Sequence, residues 1–238
     1  MENALFIALS HQSTLLRQMD VIANNIANSS TPAFKVDRML FIEELVTTDD
    51  GQELTFVKDA GIARDTTEGG FTNTGNDLDL AIHGGAYFVV DTPLGMRYTQ
   101  NGRFSLDANS QLVTSQGDLV LAESGGPIVI PPDALGVEIA PDGTVSTEDG
   151  EVGRLNVVRF DDDQALEKAG NSLYAAEIPS LPAPGAVIVQ GMVEESNVEP
   201  IIEITTMLHV LRAYEAAQRI IDTEEDLATQ TMDTLTTA

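Results

Sequence analysis

The chain has 238 residues, 38 acidic against 12 basic side chains, a net charge of -26 and no cysteine. That length can bury one good core or two small ones, and its many aliphatic residues mark a folded chain. So acidic a surface argues against nucleic-acid binding and against anionic lipid, and the missing Cys excludes disulfides, thiolate metal sites and a Cys nucleophile.

Residues 4 to 28 are expected to form an amphipathic helix. Leu5, Leu9, Leu15, Leu16, Met19, Ile22 and Ile26 recur mostly three or four apart, which lays one apolar stripe along a helix. Asn3 is placed to cap its start. Pro32 ends it, because proline cannot continue a helix and disfavours the α region at Thr31. The same start has no basic stretch, and Ser10, His11, Gln12 and Arg17 interrupt it, so no cleaved signal peptide is expected. No apolar run reaches the ~18 residues of a membrane span, so no direct membrane insertion is expected either.

Residues 31 to 75 mix Phe34, Leu40, Phe41, Ile42, Leu45 and Phe56 with Gly51, Gly61, Gly69, Gly70 and Gly75. They read as an extended connector with short strands. From Leu78 regular turn signals predict a β meander. Its strands are expected at 87–90, 97–100, 103–106, 111–114 and 119–121, with Pro93-Leu94-Gly95 as one turn and Asn101-Gly102 as a two-residue hairpin. Further strands are expected at 137–140, 144–146, 155–160, 172–175 and 187–193. The prolines between Pro179 and Gly185 mark the exit from this body.

A second long helix is expected over 200–238, with Pro200 as its first residue, where a missing N–H costs nothing. Glu203 in the first turn suits the helix dipole. A heptad-like stripe runs through Ile204, Met207, Leu211, Tyr214, Gln218, Ile221, Glu225, Ala228, Met232 and Leu235. At ~1.5 Å per residue such a helix spans roughly 58 Å, more than the middle of the chain could cover. The fold class expected is α+β: long N- and C-terminal helices packing as a coiled-coil-like arm, with an inserted, mainly antiparallel β domain. The expected organisation is a discontinuous helical domain of 1–30 plus 197–238, the connector 31–75 and a β-rich outer domain 76–196.

Signals for chemistry are weak. Asp77 and Asp79 would share a strand face, but nothing beside them suggests a raised pKa. Asp107, Asn109, Gln111 and Asp118 imitate a calcium loop, yet Leu112 stands where an EF-hand needs Gly and the closing Glu is missing. His11, His83 and His209 lie on different elements without metal spacing, and there is no GxSxG elbow or phosphate-binding Gly loop. No catalytic, cofactor or metal residues are therefore assigned, and no cofactor or small-molecule substrate is expected.

Three segments carry a resemblance. They are DVIANNIANSSTPAFK (20–35), IHGGAYFVVDTPLGMRYTQNGRFSLDANSQLVTSQGDLVL (82–121) and VQGMVEESNVEPIIEITTMLHVLRAYEAAQRII (189–221). Together they resemble the flagellar basal-body rod and hook family, the axial proteins of the bacterial flagellum, over nearly the whole chain. Relatives commonly have Gly where Ala33 stands, which bears on the backbone angle there.

The resemblance implies a rod subunit of the proximal kind, with a distal-rod subunit as the alternative. Such a subunit polymerises with copies of itself and with other flagellar rod proteins into a drive shaft that crosses the periplasm and transmits torque. It travels through the flagellar type III export apparatus uncleaved. The expected assembly interface on the helices is Leu15, Met19, Ile22, Asn24, Asn25, Ile26, Asn28, Ile204, Leu208, Leu211, Tyr214, Gln218 and Ile221. Local helix capping competes with that role for each Asn. Pro32, Phe34, Asn197 and Val198 are the expected chain-bend anchors. Two rival classes are an acidic β-rich hydrolase with helical dimerisation arms, which requires a concave site with perturbed carboxylates, and a fibrous binding module.

Overall fold

The computed structural model describes residues 2–47, 53–134 and 136–236. Gly51 and the side chains of Leu5, Leu45, Phe56, Glu225, Ala228, Met232 and Leu235 lie outside the described residues. The chain divides into two units, one of residues 1–27, 37–65 and 199–238, the other of 28–36 and 66–198.

The first unit holds helix α1 (Glu2–Ala27), the antiparallel strands β1 (Asp37–Thr47) and β2 (Glu53–Arg64), and helix α2 (Pro200–Thr236). Pro200 opens α2, as its fixed φ and missing N–H favour. Strands of eleven and twelve residues are longer than expected of this stretch. Their register shifts between Leu40 and Phe41, opposite Gly61 at φ 121°, a bulge that needs glycine's freedom.

The expected coiled-coil-like arm does not form. The chain has one helix at each end and a large antiparallel β body between them. α1 and α2 run antiparallel, with Gln12 bonded to Gln218 and Asn25 to Glu203. Among the described residues, Leu15, Ile22 and Val210 form the buried cluster between them, flanked by Met19, Ile26, Met207, Ala213 and Tyr214. The inward line of α2 runs Glu203, Val210, Ala217, whereas Ile204, Leu208 and Leu211 are 49%, 50% and 41% exposed. A coiled seam needs an unbroken apolar repeat on both helices. Here Glu203 occupies an inward position, and α1 packs on the hairpin as well as on α2.

The second unit contains β3 (Phe71–Asn73), β4 (Leu80–His83), β5 (Tyr87–Thr92), β6 (Gly95–Thr99), β7 (Phe104–Leu106), β8 (Leu112–Thr114) and β9 (Leu119–Val120). It continues with β10 (Val137–Ile139), β11 (Thr144–Thr147), β12 (Gly150–Arg154), β13 (Val157–Arg159), β14 (Glu167–Gly170) and β15 (Leu173–Ala175). It ends with β16 (Leu181–Pro182), β17 (Val187–Gln190) and β18 (Met192–Glu194). The main sheet has nine strands, ordered β14-β15-β6-β5-β9-β8-β7, with β13 pairing β5 and β16. Two clusters fill this unit. One centres on Leu80, Phe88, Val90, Leu112 and Val145, the other on Tyr87, Tyr98, Phe160 and Tyr174, whose rings meet edge to face.

Entry and exit strands run side by side: β17 pairs β4 and β18 pairs β3. This antiparallel return brings residues 194–197 back beside residues 67–72. The Asn101-Gly102 hairpin is not observed, since β6 and β7 do not pair. Gly102 instead accepts a bond from Leu80 N–H, and a Cβ there would lie 1.8 Å from Leu80 O. Close backbone approach requires this glycine, not a turn.

Candidate assembly surface and chain junction

The helical unit presents apolar side chains that its own packing leaves uncovered. Leu9 and Leu16 on α1, and Ile201, Ile202, Ile204, Leu208, Leu211 and Ile220 on α2, are 41% to 81% exposed. Contiguous exposed apolar surface is, in general, a feature of interaction faces. Of the expected interface residues, Leu15 and Ile22 are buried, and Met19, Ile26 and Tyr214 pack around them inside the unit. Ile204, Leu208 and Leu211 face outward, Asn24 is exposed, and Ile221 is half-buried. Gln218 also donates to Asp222 at 2.9 Å.

Asn25, 1% exposed, works at long range rather than as a cap. Its Oδ1 accepts Asp37 N–H at 3.0 Å, while its Nδ2 donates to Asp37 O at 2.9 Å and to Glu203 Oε2 at 3.1 Å. It thus pairs with the β1 backbone as a neighbouring strand would, and it satisfies the buried Glu203 carboxylate. Asn28 stays local, accepting Thr31 N–H and Thr31 Oγ1.

Within the second unit, three passes of the chain meet: residues 33–36, 67–70 and 194–197. Lys35 and Glu194 form an ion pair at 2.6 Å with side chains 2% and 1% exposed. Lys35 Nζ also donates to Thr67 O at 2.9 Å, and Glu194 Oε1 accepts Gly69 N–H at 2.9 Å. A Cβ on Gly69 would lie 2.1 Å from Glu195 O, so only glycine lets these passes approach. Asn197 accepts Val36 N–H at 2.8 Å and donates to Thr67 O at 3.0 Å. Burying two charges costs several kcal/mol per ion before mutual attraction offsets it, and such a pair specifies which strands may meet.

Among the expected anchors, Asn197 is the polar hub of this junction. Val198 is buried, Pro32 is half-buried, and Phe34 lies 4.7 Å under Lys168 Nζ and accepts Asn197 N–H through its carbonyl. Ala33 is buried at φ 54°, the left-handed region that suits Gly, and its N–H donates to Glu194 O at 2.9 Å. Sequence reading missed Lys35, Thr67, Gly69 and Glu194 as partners. The one available signal was a lone Lys following the bend in so acidic a chain.

Elsewhere the titratable groups serve local structure. Asp107 Oδ1 accepts Gln111 and Asn109 N–H at 2.8 Å, and these bonds hold its carboxyl below the usual range; its loop is a hairpin turn. Glu68 binds His83 Nδ1 at 3.0 Å and Gly84 N–H at 2.8 Å. Burial pushes its pKa up, but these bonds together outweigh it and leave it lowered. Asp79 is buried, bonded to Asn76 Nδ2 at 3.2 Å, while Asp77 is exposed. Among the described residues no helix is long and apolar enough to cross a membrane, and no three metal-ligating side chains gather.

The chain is similar to known proteins along nearly its whole length. Residues 5–35 match the family described as flagella basal body rod protein. Residues 81–147 match the flagellar hook protein FlgE/F/G D1 domain, and 189–234 the flagellar basal body rod FlgEFG protein C-terminal region. The flagellar basal-body rod protein FlgF of Caulobacter vibrioides is 42% identical over 241 residues, covering 99% of this chain and 98% of its own length. FlgF of Mesorhizobium japonicum is 35% identical, with 90% of each covered. The basal-body rod protein FlgG of Bacillus subtilis is 32% identical, covering 95% of this chain and 97% of its own. The chain belongs to the flagellar basal-body rod protein family and is a structural subunit of the basal-body rod, which assembles with other rod proteins.

Proposed function

We propose that this subunit is of the proximal-rod kind, like the FlgF proteins it matches. Its helical ends, about 1–30 with 197–238, bind copies of itself and related axial proteins, while the β-rich residues 76–196 face outward. Function here is mechanical. A helical assembly in which every contact is packed at interior density resists twisting and passes torque along its axis. One observation carries this reading: α2 leaves Ile201, Ile202, Ile204, Leu208 and Leu211 exposed along a helix that its own unit does not cover. The chain reaches the rod through the flagellar type III export apparatus, travelling at least partly unfolded.

The test is a deletion strain and its basal bodies. Cells lacking the chain are expected to stop rod growth and to lose swimming, with both restored by the intact chain. Complete rods built without it overturn the proposal. Basal bodies in which the chain sits only in the distal rod favour the FlgG-like alternative.

A further inference from the structure

The β body carries an apolar projection and an apolar recess in different places. The projection is the β5–β6 turn, where Leu94 is 81% and Met96 58% exposed. This tip is preformed: Thr92 Oγ1 donates to Gly95 O at 2.7 Å and accepts Leu94 N–H at 3.2 Å, with Gly95 at φ 96°. Beside it, Arg97 Nη1 donates to Met96 O at 2.8 Å, and Arg97 Nε has no partner among the described residues.

The recess is a cleft of about 610 Å³ whose lining includes Leu155, Val157, Leu181, Pro182, Pro184 and Ile188. Three prolines, counting Pro141, make much of its wall stiff. At its rim Arg154 lies 3.7 Å from Glu123 and 3.8 Å from Asp142. Two carboxylates thus share one guanidinium, and the rim keeps one negative charge in excess.

Val157 in the cleft pairs with Phe88 on β5, and the tip begins past Thr92, four residues and about 13 Å further along that strand. The tip and the cleft are thus two separate patches of the β body, the tip lying past the far end of β5. A contact joining two different patches of identical copies is heterologous, and it propagates head to tail instead of closing a dimer.

We infer that the Leu94–Met96 tip of one copy docks in the Pro141–Leu155–Pro182 cleft of a second copy of this chain. The inference rests on the rod-subunit reading. Charge complementarity favours a second copy as occupant. Copies with a net charge of -26 repel one another, and this contact sets the cation of Arg97 against the acidic rim of Glu123 and Asp142. The apolar side chains Leu94 and Met96 then leave water for a stiff, preformed recess, which keeps the ordering cost low.

The absence of cysteine makes the test direct. Leu94→Cys and Ser180→Cys, at the cleft edge, are co-expressed in one strain, and isolated basal bodies are oxidised. A covalent dimer of this chain is expected from the mixture and from neither variant alone. Arg97→Glu added to the Leu94→Cys chain is expected to lower the dimer yield at least fivefold. Leu106→Cys, exposed at another strand, is expected to give no dimer with Ser180→Cys. Four results overturn the inference: a dimer from Leu94→Cys alone, capture of a different rod protein by Leu94→Cys, equal yield from the Leu106→Cys control, or no product in basal bodies that contain the chain. Basal bodies lacking the chain altogether overturn the subunit reading instead, and the inference with it.

Discussion

In the β body, Phe88, Leu112 and Val145 are wholly buried in a cluster of fifteen buried apolar residues, and a second cluster holds eight. In the helical unit the described cluster holds three, Leu15, Ile22 and Val210, while eight large apolar side chains on the same two helices stand exposed. A fully buried large side chain contributes roughly 1.5–3 kcal/mol. By that measure the β body stabilises itself from within its own sequence. Helices gain most of their stability from tertiary packing, and here much of the surface available for packing is still uncovered. A subunit that assembles with other rod proteins is served by this division. One part has its core within its own residues, and the other leaves apolar side chains exposed.

The contrast can be broken most directly by amide exchange of the free chain. Residues near 1–30 and 200–238 are expected to exchange at least about a thousandfold faster than the β body over 76–186, a difference of roughly 4 kcal/mol in local opening. Uniform protection in a verified monomer would refute it. Next in size is Lys35→Met, which leaves Glu194 charged and buried without its partner and should destabilise the β body by about 3–5 kcal/mol. Lys35→Met combined with Glu194→Leu should recover most of that loss in thermal melts, and a double variant as unstable as the single one argues against the pairing.

Val210 and Leu211 sharpen the comparison within one helix turn. Val210 is 6% and Leu211 41% exposed. Val210→Asp should cost the helical unit about 2–3 kcal/mol, read as lost helicity in the free chain. Leu211→Asp should leave the monomer within about 0.5 kcal/mol yet stop rod growth and swimming, the outcome the proposed assembly role of α2 requires. Complete rods in Leu211→Asp cells would remove α2 from the assembly role.

Smaller still, Ala33→Gly should raise the stability of the β body by about 0.5–1 kcal/mol, by relieving the left-handed backbone of a residue with a Cβ. An unchanged or lower melting temperature would show the strain to be absorbed elsewhere. The least effect is expected from acid. Glu68 has its pKa lowered in the fold, so its contribution is present above the unfolded carboxyl range and is lost as pH falls through the folded value. Below pH ~4.5 the Glu68→Gln variant should lose stability less steeply than the parent. Parallel acid slopes would count against this site.

Much of the outline was legible in the sequence because its signals are local. Pro32 and Pro200 bracket the helices, and strands such as 112–114 and 144–147 follow from short apolar runs between turn residues. Asn197 was expected as an anchor at the handover from strand to helix, and it bonds Val36 and Thr67 there. The face of α2 was not. Heptad spacing fits Ile204, Leu208 and Leu211 as readily as Val210 and Ala217, and packing on α1 decides which line turns inward. Nor was the length of β1 and β2, where the Leu40/Phe41 bulge breaks the alternation that would announce a strand.

The sequence by itself determined a helix at each end and an antiparallel body between, because capping residues, prolines and strand alternation act over a few neighbouring residues, and the resemblance of segments 20–35, 82–121 and 189–221 carried the axial-subunit reading. Tertiary structure alone decided the junction. Lys35 and Glu194 stand 159 residues apart, and nothing along the chain joins a lone Lys to one Glu among many. Their pairing exists because β3 and β18 return side by side, closing the three passes around two buried side chains. There an unpaired charge costs far more than it would at the surface.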